Sequence, residues 1–383
     1  MNKQNSRILS GNEACAYGAI AAGMRFYAGY PITPATEIME NCSVLLPKVG
    51  GVFMQMEDEL CSMGAVLGAS FAGLKAMTAT AAGGIDLMQE NLGYGIYNEI
   101  PCVVVDVQRD GPCQGQGTGT FQGELMHSRW GSHGGNKPAL VLVPGSVQEM
   151  YTETIRAFNL AERFRTPVVI LSDATLAHMS EKVHLLDQKD VPVVNRKRAK
   201  PGQGNQVLPY AFDEDDLIPP MPIFGDGNRY TVTGNTHGAN GLPNHSDPKL
   251  KQDYIKRLLA KIDTHVDEVE SYEEFMTEDA EVLVVAVGVT ARCAKGAIEQ
   301  LRAEGKKVGL FRPITLWPFP AEKLACLAAK AKTVMTVELN EGQLYEIVKC
   351  RINNNDKVAK LTQSTGQLLT AEQIMDAVKE LEQ

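Results

Sequence analysis

The sequence predicts an α/β protein built from two doubly wound domains, and three observations carry that expectation. Strand-like and helix-like segments alternate at short spacing through the first 180 residues, a pattern that builds a parallel sheet with right-handed crossovers. From about Lys182 the alternation stops in a stretch rich in Pro, Gly, Asn and Asp. A second strand–helix series opens at Val282-Leu-Val-Val-Ala-Val287. The expected division is residues 1–255, with a long Pro/Gly-rich excursion at 182–255, and residues 256–383.

Each element has its own signal. Gly51-Val-Phe-Met-Gln-Met56 reads as a strand leading into a helix over 58–72, and Lys75–Thr80 as a strand before a helical run from about Ile85. Pro101–Val107 is almost continuously apolar, as a strand covered on both faces must be. Ala139–Val143 is a further strand, Ser146 opens a long amphipathic helix to about Phe164, and Thr166–Leu171 is the next strand. The excursion is too long for an ordinary loop, and with few apolar runs it cannot form its own core, which favours contact with a neighbouring subunit. A charged helix over 250–270 connects it to the second series, which continues through strands at Val308–Phe311 and Thr333–Val337.

Composition narrows the function. The 383 residues are 44% hydrophobic and 22% charged, as in an ordinary globular protein. A net charge of −9 argues against a nucleic-acid or anionic-membrane partner, whose attraction depends on Lys and Arg. No apolar run is long enough to span a membrane. Met1–Arg7 has no apolar core of a signal peptide, so a cytoplasmic location is expected. The 8 cysteines include no C-x-x-C pair, which leaves out the usual iron–sulfur and zinc spacings.

The candidate site lies where loops leave the carboxyl ends of the strands, the edge at which parallel sheets bind ligands. Four such loops carry distinctive residues: Thr33, Glu57-Asp58-Glu59, Ala81-Ala-Gly83-Gly84, and Gln108-Arg109-Asp110-Gly111. Thr33 also reads as a helix N-cap with Pro34 at the first helical position. The acidic cluster doubles as a macrodipole partner, and the glycine pair as a turn. Other motifs lead nowhere. Gly115-x-Gly117-x-Gly119 misses the third glycine of a dinucleotide loop, since Gln122 stands there. Gly225-Asp226-Gly227 lacks the Asn pair of a magnesium-diphosphate motif, and Asn353-Asn354-Asn355 is too distant to supply it. His127 and His133, flanking Trp130, read as structural hydrogen-bonding residues.

Taken in order, Gly11-Asn-Glu-Ala14, Gly29-Tyr-Pro-Ile-Thr-Pro34, Gln55-Met-Glu-Asp-Glu59, Leu87-Met-Gln-Glu90, Val107-Gln-Arg109, Ala157–Glu162, Arg312-Pro-Ile-Thr-Leu-Trp-Pro318 and Glu338-Leu-Asn340 match one family. The chain resembles the alpha subunit of 2-oxoacid:ferredoxin oxidoreductases, in the 2-oxoglutarate synthase branch. The resemblance implies a thiamine-pyrimidine-binding-like N-terminal domain and a transketolase-C-terminal-like second domain. It implies coenzyme A-dependent oxidative decarboxylation of a 2-oxoacid, or its reductive reverse, active only with partner subunits. Thiamine diphosphate would be shared with a beta subunit carrying Mg2+ and an iron–sulfur cluster. A gamma subunit, a ferredoxin-like delta subunit in some complexes, coenzyme A and ferredoxin complete the implied set.

By position, Glu59 would share a proton with the aminopyrimidine N1′ and so promote its imino tautomer. Thr33 would bond the substrate, Arg109 would pair with its carboxylate, and Gly83 and Gly84 would let the cofactor approach. Two loops depart from the family: Ala81-Ala-Gly-Gly84 replaces a Ser-Gly-Pro-Gly turn, and Arg109-Asp-Gly-Pro-Cys-Gln-Gly115 replaces Arg-Gly-Gly-Pro-Ser-Thr-Gly. Asp110 beside Arg109 would repel a second substrate carboxylate, for which Arg129 and Lys137 are the nearest cations. 2-Oxoglutarate is the first substrate reading. A branched-chain or aryl 2-oxoacid, or a non-catalytic scaffold, is the alternative.

Overall fold

Seven buried residues in a row, Cys102–Gln108, make the middle of the first sheet. The computed structural model describes residues 5–109, 111–113, 115–135, 137–353 and 357–381. The first half runs β1 (Ser6–Ser10), α1 (Gly11–Ala21), β2 (Phe26–Gly29), α2 (Thr36–Leu45), β3 (Val52–Gln55) and α3 (Glu59–Phe71). It continues with β4 (Ala76–Thr80), α4 (Gly83–Tyr97), β5 (Cys102–Gln108), α5 (His127–Trp130) and β6 (Val141–Leu142). Then come α6 (Val147–Phe164), β7 (Pro167–Asp173), α7 (Ala174–His178), β8 (Ser180–His184) and, after the excursion, α8 (Pro248–Asp263). The second half adds β9 (Tyr272–Phe275), β10 (Val282–Val285), β11 (Val308–Pro313), β12 (Thr315–Trp317), β13 (Thr333–Glu338) and β14 (Val358–Thr362).

The first sheet has the order β12-β6-β7-β5-β4-β2-β3 and the second β14-β13-β10-β11-β9. Within the first, β2 to β7 are parallel, while β12 pairs antiparallel with β6 at the outer edge. The strand expected over 139–143 shortens to Val141–Leu142, and the connector helix breaks after Asp263 into α8 and a short turn of helix at Val266–Val269. The excursion clothes its own sheet. Arg196, buried, grips Glu162 and the Ser70 carbonyl; the Phe224 ring stacks on Phe71 at 5.0 Å; and Ile218 and Met221 are buried. An arm with no core of its own is thus ordered by side chains sunk into the body beneath it.

The two sheets are joined through the loop that follows β5. Gln122 donates through Nε2 to the Val287 carbonyl at 3.0 Å, and its own carbonyl accepts from Asn340 Nδ2 at 2.8 Å. Trp317 Nε1 donates to the Leu125 carbonyl at 2.9 Å. Arg312 forks onto Glu149 at 2.8 and 2.6 Å. The motifs around Arg312 and Asn340 therefore act as joints between the halves.

Candidate functional site

Parallel pairing of β2, β3, β4 and β5 sets the loops that leave them along one edge. At the start of α3 the acidic cluster divides its labour. Asp58 is the N-cap, its carboxylate accepting from the Cys61 N–H at 2.7 Å. Glu59, the next residue, is only 5% exposed, and its carboxylate has no hydrogen bond or ion pair among the described residues. It lies against the first turn of α4. A Cβ added at Gly84 would sit 2.6 Å from Glu59 Oε1 and 2.0 Å from Thr80 Oγ1, so only glycine admits that approach. Gly83, by contrast, faces open space. Just before it, Ala82 takes φ +47°, a backbone conformation that strains an L side chain.

Thr33 does not cap the helix. α2 begins at Thr36, and its N-cap is Ala35 with no side-chain cap bond. The reason is tertiary. Arg109 Nη1 donates to the Thr33 carbonyl at 3.0 Å, while Asn12, fully buried, donates through Nδ2 to the Pro34 carbonyl at 2.7 Å and to Glu37 Oε2 at 2.9 Å. These bonds hold residues 33–35 as a turn outside the helix and leave Thr33 exposed at the edge. Thr33 and Arg109 are thus brought together through the threonine's carbonyl. The Arg109 side chain is buried, and its backbone pairs with Thr120 across the loop. Asp110 lies outside the described residues.

Two further carboxyl groups stand behind this edge. Asp106 of β5, in register with Thr80, is fully buried with neither oxygen bonded, and Glu124 Oε2 is likewise buried without a partner. Burial, reinforced by the Glu124 charge, holds the Asp106 carboxyl well above the usual range. Burial, then the Asp86 charge, pushes Glu124 up to about 7. Neither belongs to a recognisable sequence motif, although an Asp inside the apolar run Cys-Val-Val-Val-Asp is a visible signal.

The other named cations lie elsewhere. Arg129 donates to the Gly135 and Lys137 carbonyls and lies over the Trp130 ring at 4.6 Å. Lys137 faces a cavity beside the second half of α4. His127 and His133 approach Asp86 at 3.5 Å and Glu90 at 3.1 Å, one turn apart along the same helix.

The donor set suits an aminopyrimidine ring. One unpartnered carboxylate, held over a glycine that admits close approach, matches a ring nitrogen able to share a proton. The approach is apolar and open. Leu60 and Leu87 are exposed at 41% and 48%, and Asn91 Nδ2 donates to the Leu60 carbonyl, drawing their two helices together. Val52 and Met54 on the edge strand β3 are also exposed. Among the described residues no helix is long and apolar enough to cross a membrane.

Comparison with known proteins gives consistent results. Residues 17–256 match the domain family described as pyruvate flavodoxin/ferredoxin oxidoreductase, thiamine diphosphate-binding, and residues 280–374 match pyruvate:ferredoxin oxidoreductase core domain II. The chain is 46% identical to the 2-oxoglutarate synthase subunit KorA of Methanocaldococcus jannaschii over 97% of its length and 98% of the relative's. It superposes with a TM-score of 0.93, at 36% identity, on 2-oxoglutarate:ferredoxin oxidoreductase from Magnetococcus marinus, solved with 2-oxoglutarate, coenzyme A and succinyl-CoA bound. That match covers 99% of this chain and 66% of the solved one. The fold alone is shared with a split-gene transketolase, at 13% identity and a TM-score of 0.52 over 97% of this chain and 96% of that one.

Proposed function

The chain belongs to the pyruvate flavodoxin/ferredoxin oxidoreductase family, and on that premise we propose that it is the alpha subunit of a 2-oxoacid:ferredoxin oxidoreductase acting on 2-oxoglutarate. The observation that carries the reading is Glu59, a nearly buried carboxylate left without a partner and pressed against Gly84. Bound thiamine diphosphate supplies the carbanion chemistry that decarboxylates a 2-oxoacid. Glu59 holds a proton at the pyrimidine N1′ and so sets which tautomer the ring presents. Arg109 offers a planar fork to the substrate carboxylate, and its bond to the Thr33 carbonyl fixes where that fork points. Thr33, exposed at the edge, offers its hydroxyl to the same substrate.

The division between chains follows from the same surface. We assign Mg2+ and the iron–sulfur cluster to a beta subunit, and coenzyme A contacts to a gamma subunit. The exposed Val52, Met54, Leu60 and Leu87 support this, because an apolar rim around a polar site is what a partner covers. The unit over 1–255 would face the cofactor, and residues 256–383 would hold the loop after β5 in place.

The test is the reconstituted complex, assayed for viologen reduction with coenzyme A and a panel of 2-oxoacids. Turnover of 2-oxoglutarate above branched-chain and aryl substrates is expected, with none from this chain alone. Equal or greater turnover of a branched-chain acid would move the substrate to that class, and activity of the lone chain would overturn the subunit reading.

A further inference from the structure

A cavity of about 360 Å3 takes no part in the chemistry above. It lies between the last two turns of α4, the residues Ser132, His133 and Lys137, Gly234 and Thr236 of the excursion, and α8. Tyr94 is ten residues from Gly84 on the same helix, so the cavity is roughly 15 Å along α4 from the Glu59 site, at about 1.5 Å per residue.

Its distinguishing group is Lys137. The residue is 6% exposed, lines the cavity, and its ammonium has no hydrogen bond or ion pair among the described residues. Burial, with the Arg129 guanidinium nearby, pushes that ammonium down to about 8. A buried ammonium with no counter-ion is costly, and this fold supplies one elsewhere: Lys261, also buried, bonds Glu99 at 2.9 Å. The carboxylate in the cavity lining, Glu90, instead approaches His133 at 3.1 Å. Lys251 adds a second positive charge to the lining. Tyr94, Ile96, Tyr97, Ile255 and Leu258 give aromatic and aliphatic walls, to which Ser132 and Thr236 add hydroxyl groups.

We propose that this cavity is a second ligand site, separate from the catalytic edge, for a small organic carboxylate with an apolar body, Lys137 serving as its counter-ion. One buried cation matches one carboxylate. The aromatic and aliphatic walls match a ring or branched chain, and the volume falls in the range of small-ligand pockets.

Benzoate is the probe, and benzamide its uncharged twin. Calorimetric titration of the assembled complex is expected to show benzoate binding at least about tenfold tighter than benzamide, with 2-oxoglutarate at the catalytic edge leaving it unchanged. Lys137→Met is expected to weaken benzoate by about tenfold or more. Thr236→Phe, which puts a bulky ring in place of a small lining side chain and leaves Lys137 unchanged, is expected to abolish binding and decides the matter if the lysine variant fails to fold. Absence of benzoate binding up to about 10 mM, equal binding of benzamide, or displacement by 2-oxoglutarate would overturn the proposal. The readout is affinity, so it stands or falls apart from the assigned reaction.

Discussion

Two buried glutamates at opposite ends of α4 are treated in opposite ways. Glu99, just past the helix, is fully buried, yet Arg257 donates to it through Nη1 at 3.0 Å and Nη2 at 2.5 Å, and Lys261 at 2.9 Å. Burial alone would raise its carboxyl, but Lys261 and Arg257 overcome that and hold it well below the usual range. Arg165, fully buried alongside, donates to the Glu99 carbonyl and to the carbonyls of Pro209 and Pro219, tying the excursion to the sheet. Glu59, beside the helix's first turn, is nearly as buried and receives no such closure. A charge that serves the fold is saturated by its own chain. One left open is available to something the chain binds.

Three substitutions would break that contrast and one would refine it. The largest effect is expected from Glu59→Gln in the assembled complex: a loss of about 10²–10⁴ in turnover, as for removal of a proton-transfer group, with an unchanged urea midpoint. Retained activity would reassign Glu59 to the structural class. Arg257→Ala should do the reverse, destabilising by about 3–5 kcal/mol because Glu99 loses a partner while still buried. A denaturation midpoint equal to the parent's would show that Glu99 is not closed as described.

Glu124 tests the intermediate case, a buried carboxyl with no cation. Its folded value of about 7 stands above the ordinary 4.5, so the folded chain binds the extra proton. Stability from this group is full below about pH 4.5 and is lost as pH rises through about 7. Glu124→Gln should therefore flatten the stability profile between pH 5 and 8, and a variant with the parent's slope would discard the idea. The smallest effect is expected at Ala82. With φ at +47°, Ala82→Gly should stabilise by roughly 1 kcal/mol, read as a higher urea midpoint. A lower midpoint would mean the methyl group makes contacts that outweigh the strain.

The sheet was legible in the sequence wherever burial on both faces forces a continuous apolar run, as at Cys102–Gln108, and the gathering of loops at one edge follows from parallel pairing alone. Local rules failed where long-range bonds outvote them. Thr33 and Pro34 carry every local mark of a helix start, but their carbonyls are claimed by Arg109 and Asn12 from elsewhere in the chain, and the helix opens later. The Glu99 cluster was invisible for a related reason: its members stand up to 162 residues apart, and no spacing announces them. Glu59 could be picked from its neighbours by resemblance. Its isolation could be seen only once Gly84 and Thr80 were in place around it.

The antiparallel strand β12 belongs by sequence to the second half and by hydrogen bonding to the first sheet, where it covers β6. Cutting the gene at the excursion's end would therefore not yield two intact proteins. The N-terminal fragment would keep its loop-bearing edge yet expose bare β6 amides and carbonyls at the far side, an invitation to pair with another copy. Any minimal version meant to fold alone must carry the peptide through Trp317, and the second half deprived of its neighbour would trail a sticky segment with no sheet to join.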